Sequence, residues 1–234
     1  MASTLARGLI GACLAFGPLF AHGDPTPARL REGEYSIESL LKVPEGLEQR
    51  RYDVHCEVRV QMTGRPRSFS CYALDGTVPR SLIKAVSRAG MISRFVPATR
   101  DGEPVAIYMV LMVRVLVTGN ESLVLVLPNN GTEHGLYGLF YIAPQRFNEF
   151  YWGTGLEPYF SSRRSTPNVL VWQEFWIDEH GKVTKSRLTN TSNATRAVIK
   201  EVSDSAARMQ FMPGFVEGKP VAMHYMEPAY ADDE

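Results

Sequence analysis

The stretch Phe95-Val96-Pro97 through Gly102-Glu103-Pro104-Val105-Ala106 occurs twice in this chain. It returns 116 residues later as Phe211-Met212-Pro213 through Gly218-Lys219-Pro220-Val221-Ala222. Over the 24 positions from Ile83 to Ala106, the two copies share ten identical residues. A period of this length is too long for a solenoid repeat, so it predicts two copies of one small domain.

The same order of elements is predicted around each copy. Apolar and polar residues alternate from Val54 to Met62, which predicts a half-buried strand. Aligning Gly64 with Gly181 places Phe175 and Ile177 on the inward face of the matching strand. A hairpin, a second strand and an amphipathic helix follow, and a further strand begins after Gly-x-Pro-Val. The predicted fold class is α+β, with two tandem small antiparallel sheets that each pack one helix.

The N-terminus has the pattern of a secretory signal peptide. Arg7 precedes an apolar run, and Ala21-His22-Gly23 is a small-x-small cleavage site. The run is short and broken by Gly17-Pro18, so a permanent membrane span is not predicted. The predicted parts are a signal peptide (1–23), a leader with a short helix (24–50), copy A (51–127), a joining segment (128–167) and copy B (168–234).

Three parts of the chain carry more specific expectations. The Pro-rich start of the leader, 24–31, is expected to be mobile, and Ser36 is expected to cap a helix over 35–41. In copy A, the run from Ser122 to Leu127 predicts a fourth strand. The joining segment either packs against the domains or forms a ligand-binding surface, because it is rich in aromatic residues. These are Tyr137, Phe140, Tyr141, Phe147, Phe150, Tyr151, Trp152, Tyr159 and Phe160.

Cleavage of the signal leaves two cysteines, Cys56 and Cys71. A symmetric turn over 63–66 places them opposite each other on the inward face of a hairpin. Export permits a disulfide, which we favour over the alternative of two buried free thiols. Neither cysteine belongs to a C-x-x-C pair, so a redox enzyme is not predicted.

No catalytic, cofactor-binding or metal-binding residue is predicted. The five histidines are scattered and form no zinc-binding motif, and Gly-rich phosphate loops are missing. Lys and Arg (25) balance Asp and Glu (25), so no strong overall field favours nucleic acid. The chain is therefore expected not to be an enzyme, although a site assembled from distant residues stays an alternative.

In both copies, the order of these motifs resembles the C-terminal domain of TonB, the periplasmic energy-transducing protein. Copy B matches the family's Asp-x-x-Gly-x-Val in Asp178-Glu179-His180-Gly181-Lys182-Val183, of which copy A keeps only Gly64. Arg94-Phe95-Val96-Pro97 matches the family's basic-aromatic-x-Pro signature, whereas copy B has Gln210 in the basic position. The family's tryptophan is replaced by Ser93 and Met209.

The resemblance implies a periplasmic or secreted protein that binds a protein partner in the cell envelope, such as a peptide of an outer-membrane receptor. Members of the family bind an extended peptide along the edge of their last strand. In copy B this strand carries Val221, Met223 and Tyr225, with the outward-facing Trp172 and Trp176 as anchors or, alternatively, as residues packed on the joining segment. Energy transduction to a receptor and an envelope enzyme are the alternative functions.

Overall fold

A computed structural model of the protein describes residues 25–74, 76–119, 121–147, 169–192, 194–206 and 208–230. The predicted signal peptide and the aromatic residues 150–160 of the joining segment lie outside these residues. The four helices are α1 (Ile37–Leu40), α2 (Arg80–Ile92), α3 (His134–Tyr137) and α4 (Arg196–Ala206). The first strands are β1 (Arg29–Leu30), β2 (Arg51–Val60), β3 (Pro66–Tyr72), β4 (Phe95–Val96), β5 (Ala98–Arg100), β6 (Glu103–Val105), β7 (Ile107–Thr118), β8 (Glu121–Leu127) and β9 (Gln145–Phe147). The later strands are β10 (Val169–Ile177), β11 (Val183–Thr189), β12 (Phe211–Met212), β13 (Gly214–Val216), β14 (Lys219–Val221) and β15 (Met223–Tyr230).

Two antiparallel sheets form the framework, and the molecule is of the α+β class. In the larger sheet the order is β12-β9-β7-β2-β3, with β8 also paired to β7. In the smaller sheet the order is β11-β10-β15. In both sheets, the first strand of a copy lies between its hairpin partner and the strand that follows the helix.

Several local predictions are confirmed. Ser36 caps α1, and its hydroxyl accepts a hydrogen bond from the Ser39 amide. The predicted fourth strand of copy A is β8, which pairs with β7. Cys56 lies opposite Cys71 in the β2–β3 ladder and forms a disulfide with it, with the two Cα atoms 4.1 Å apart.

The backbone relation between the copies extends upstream of the sequence repeat. Strand β1 pairs with β4, and 116 residues later β9 pairs with β12 in the same antiparallel arrangement. The bridge between Thr26 and Thr99 recurs at the same spacing between Ile142 and Phe215. Residues 26–30 and 142–146 share no identity, because their role is carried by backbone hydrogen bonds rather than by side chains.

The expectation of a mobile leader is therefore wrong for residues 25–31. Thr26 and Thr99 exchange two backbone hydrogen bonds, and Ala28 is fully buried. The buried side chain of Gln145 also accepts from the Ala28 amide and donates to its carbonyl, each at 2.8 Å. Composition suggested mobility, but long-range pairing holds this segment in place.

One contact explains why glycine and Phe-x-Pro are both kept in the two copies. The Phe95 amide donates to the Gly64 carbonyl at 2.9 Å, and the Phe211 amide donates to the Gly181 carbonyl at 3.2 Å. Both glycines have positive φ, and a Cβ atom on either would overlap the facing phenylalanine carbonyl. Only glycine allows this approach, so each hairpin turn is joined to the segment that leaves the helix.

Within the described residues, both hydrophobic cores contain residues of both copies. The first core lies between α2 and the inward face of β2, β3 and β7, and it also contains Met212 and Phe215 of copy B. The second contains Phe175, Val202 and Phe211 of copy B, together with Val110 from β7 of copy A. Because Val110 lies on the face of the large sheet opposite to α2, this sheet contributes to both cores. Each copy is therefore packed against the other, rather than linked only through the chain.

We expect Gly181→Ala to destabilise the protein more than Gly102→Ala. Gly102 also has positive φ, but an added Cβ would meet no atom within 4 Å. Gly102→Ala therefore bears only the backbone strain, about 1 kcal/mol. Gly181→Ala must in addition move the Phe211 carbonyl, which should raise the loss to about 3 kcal/mol or more. Urea unfolding of both variants measures the difference, and equal losses would contradict the role of this contact.

Removing the disulfide should lower the free energy of unfolding by about 3 kcal/mol, because the bond closes a loop of 15 residues in the unfolded chain. Denaturant unfolding measures this value when the double variant Cys56→Ala with Cys71→Ala is compared with the oxidised parent. Reduced parent protein is the control that separates the loss of the bond from the loss of sulfur packing.

Candidate functional site

The outer edge of β15 is the candidate site. Within the described residues, β15 pairs with β10 on one side and is the last strand of its sheet on the other. The carbonyls of Ala222 and Met226 accept hydrogen bonds from outside the sheet. Since alternate residues of a strand direct their backbone groups to opposite sides, Ala222, His224 and Met226 face outward, while Met223 and Tyr225 face β10.

The structure places the five predicted partner-binding residues in different environments. The side chains of Met223 and Tyr225 are 3% and 4% exposed and belong to the second core. They are therefore not accessible to a partner at the edge of β15. Val221 is half-buried at the end of β14. Trp172 and Trp176 are half-buried on the face of β10 opposite to Phe175 and Ile177.

Trp176 contacts His224, one of the outward-facing residues of β15. Its ring centroid lies 5.0 Å from that of His224, its partner across the ladder, and Lys185 Nζ lies 4.4 Å from the Trp176 centroid. His224 in turn contacts Glu133 of the joining segment, with Nδ1 and Oε1 2.9 Å apart. Trp172 is opposite Pro228, toward the other end of β15.

Residues of the joining segment contact this edge, and among them the sequence had singled out only Tyr137. Asn130 Nδ2 donates to the Met226 carbonyl at 2.9 Å, and the Tyr137 hydroxyl donates to the Ala222 carbonyl at 3.2 Å. The aromatic content of the segment pointed to packing, and Tyr141 and Phe147 are indeed buried. Nothing in the sequence, however, indicated the role of Asn130 or Glu133, because polar loop residues have no periodicity to distinguish them.

In copy A, the equivalent edge of β7 is covered by backbone. Strand β8 pairs with residues 112–118 of β7, and β9 pairs with Ile107 and Tyr108. By the 116-residue period, the part of β7 that corresponds to residues 223–224 of β15 is covered by β9, and β8 covers the part that follows it. The strand that follows the helix is thus covered by neighbouring strands in copy A and by side chains in copy B.

A buried group of charged and aromatic residues joins the two copies. Arg146 Nε of β9 lies 3.7 Å from Glu227 Oε1 of β15, and the Tyr225 hydroxyl donates to Glu227 Oε2 at 3.1 Å. The Arg146 guanidinium lies 4.7 Å from the centroid of the Tyr108 ring. Burial and the nearby charge of Glu227 raise the pKa of Glu57 to about 8, and Arg146 opposes this shift. Burial likewise raises the pKa of Tyr225.

This group contains side chains that could act as acids and bases in a catalytic site. Its burial, however, is typical of a structural role. With Glu57 protonated, one arginine faces one carboxylate, so the buried charges balance. Ionisation of Glu57 would leave a second carboxylate without a counter-charge, which is costly in a low-dielectric interior. The sequence analysis did not single out Glu57, Arg146 or Glu227, although the position of Glu57 between the inward-facing Cys56 and Val58 of β2 was a signal for a polar residue on the opposite face.

An open groove of about 560 Å³ lies between the N-terminal segment and the β13–β14 hairpin. Its titratable residues are Arg29, which is exposed, and Glu179 and His180, which are neighbours in a turn with side chains 55% and 82% exposed. They are solvated, so the groove offers no buried acid or base. Its lining is mostly apolar and includes Pro25, Pro27, Ile142, Phe215 and Pro220.

Metal-binding clusters and membrane-spanning helices are both lacking in the part of the chain that the structure describes. There, no three His, Cys, Asp or Glu side chains are grouped so as to hold a metal ion. No helix in that part has the length and apolar character needed to cross a membrane. The sequence matches no protein-family model, and no curated protein or solved structure is significantly similar to it.

Stability should fall as pH rises from about 4.5 to about 8, because the folded protein keeps the Glu57 proton over this range while the unfolded chain releases it near 4.5. We expect Glu57→Gln, which cannot ionise, to remove this fall and to be more stable than the parent above pH 8. Thermal unfolding at several pH values measures the slope. The exposed Glu179→Gln is the control, and an unchanged slope in Glu57→Gln would contradict the assignment.

Proposed function

We propose that this protein is an exported protein-binding module whose partner adds an extended strand to the outer edge of β15. The observation that carries the proposal is the outward-facing backbone of Ala222, His224 and Met226 at the end of a three-stranded sheet. An extended peptide gains affinity there through main-chain hydrogen bonds, and alternate side chains provide selectivity.

The usable edge is short. Pro228 is in the same outward-facing register as Ala222, His224 and Met226, and proline has no amide to donate. A docking strand would therefore be confined to the residues from Ala222 to Met226. The face of the sheet beside this edge carries Trp176 and His224, which are available to the partner's side chains on that face.

Three features support export and a periplasmic or secreted location. The N-terminal sequence has the order of a signal peptide, with a basic residue, an apolar run and a small-x-small site. The Cys56–Cys71 disulfide suits an oxidising compartment. The order of motifs resembles the TonB C-terminal domain, and we propose a relationship to that family on these residues alone.

Met226→Pro should prevent docking without breaking the sheet, because the Met226 backbone faces away from β10. A labelled synthetic peptide of alternating valine and threonine with lysine ends is the probe, and fluorescence anisotropy measures its binding. We expect the variant to bind at least about tenfold more weakly, the equivalent of one to two backbone hydrogen bonds.

Ser186→Pro is the matched control for this experiment. Ser186 lies opposite Phe175 on β11, the other outer strand of the same sheet, and its backbone also faces outward. The control should bind the peptide as the parent does. Loss of binding in Ser186→Pro but not in Met226→Pro would move docking to β11, and a parent that binds no peptide would overturn the proposal.

A further inference from the structure

The loop Asn129–Tyr141, here called the guard loop, is closed by its own hydrogen bonds. The fully buried Asn129 donates from Nδ2 to the carbonyls of Leu139 and Tyr141, both at 2.8 Å. Its Oδ1 accepts from the Gly131 amide at 3.0 Å and lies 2.8 Å from His134 Nε2. The Tyr141 hydroxyl also accepts from the Glu133 amide. The shape of the loop is thus maintained by bonds that do not involve β15.

The guard loop contacts β15 at every second residue. Asn130 reaches the Met226 carbonyl, Glu133 contacts the His224 ring, and Tyr137 reaches the Ala222 carbonyl. His224 and Met226 of β15, and Ala222 directly before it, are the residues whose backbone faces away from β10. The loop therefore lies where a fourth strand would pair, and its side chains provide donors that a strand would provide from its backbone.

At the equivalent positions of copy A, the strand edge is covered by the backbone of a neighbouring strand. The residue 116 positions before His224 is Tyr108, which pairs with Arg146 of β9 in an antiparallel ladder. In copy B the cover is made of side chains, and the guard loop leaves Leu136 and Phe140 75% and 66% exposed. A docking strand would donate its own amides to the carbonyls of Ala222 and Met226, so displacement of the loop would leave neither carbonyl unpaired.

We infer that the guard loop is a displaceable cover that competes with an added strand for the β15 edge. That the loop regulates docking rests on the proposed function, whereas the covering of the edge can be tested without a partner. It predicts that the free protein is kept from edge-to-edge association by the loop and that a partner must displace Asn130 and Tyr137 before it docks.

The test is the double variant Asn130→Asp with Tyr137→Phe. The aspartate keeps the oxygen that accepts from the Thr132 amide and hydroxyl but has no hydrogen to donate to Met226, and the phenylalanine keeps the ring of Tyr137. The matched control, Thr132→Ala with Tyr141→Phe, removes two hydroxyls that bond only within the loop. Circular dichroism and thermal unfolding establish that each variant is folded.

Two measurements distinguish the possible outcomes. Amide hydrogen exchange in the absence of peptide should be at least tenfold faster in the double variant at Met223 and Tyr225, whose amides face β10, because β15 loses the two contacts on its outer side. It should be unchanged in the control. Equal exchange in the double variant and the parent, or the same increase in the control, would overturn the inference.

Binding of the alternating valine–threonine peptide should be about tenfold tighter in the double variant than in the parent. Faster exchange with no peptide binding in any variant would support the cover and overturn only the proposed docking function. Faster exchange with equal binding in the parent and the double variant would show that the loop does not compete with a strand, and would overturn the inference while docking stands.

Discussion

The close approach of a turn glycine to the backbone of Phe-x-Pro is the constraint on which the rest of the structure depends. In each copy it joins the hairpin to the end of the helix segment, through Gly64 and Phe95 or Gly181 and Phe211. The positive φ and the overlap that a Cβ would cause leave glycine as the only residue that fits. With the hairpin and the helix exit held together, the chain that follows is directed back to pair with the first strand on its free side.

The two copies depend on each other through the face of the large sheet that does not pack α2. Val110 enters the core of copy B from this face, and Glu57 lies beside Arg146 and Glu227 at the junction. Strand β9 extends this contact, because it pairs with β7 of copy A on one side and β12 of copy B on the other. A small sheet with one helix buries limited apolar area, so sharing a core compensates for the size of each unit.

The two copies differ most at the strand that follows the helix. In copy A, the backbones of β9 and β8 pair with residues 107–108 and 112–118 of β7, so this edge is part of the sheet. In copy B, the side chains of Asn130, Glu133 and Tyr137 approach β15 instead. An edge that is covered by side chains keeps its backbone pairing capacity, which is why the proposed docking and its regulation are both assigned to copy B.

By itself, the sequence determined the local elements and the repeat. The period-two pattern located β2, the position of the turn paired Cys56 with Cys71, and the 116-residue repeat identified the matching helices and Phe-x-Pro segments. These features follow from neighbouring residues, whose spacing is legible in one chain. Only the tertiary structure placed the N-terminal segment on β4, Arg146 beside Glu227, and Asn130 on the β15 edge. Those contacts join residues distant in sequence through backbone groups and isolated polar side chains, and neither leaves a periodic pattern to read.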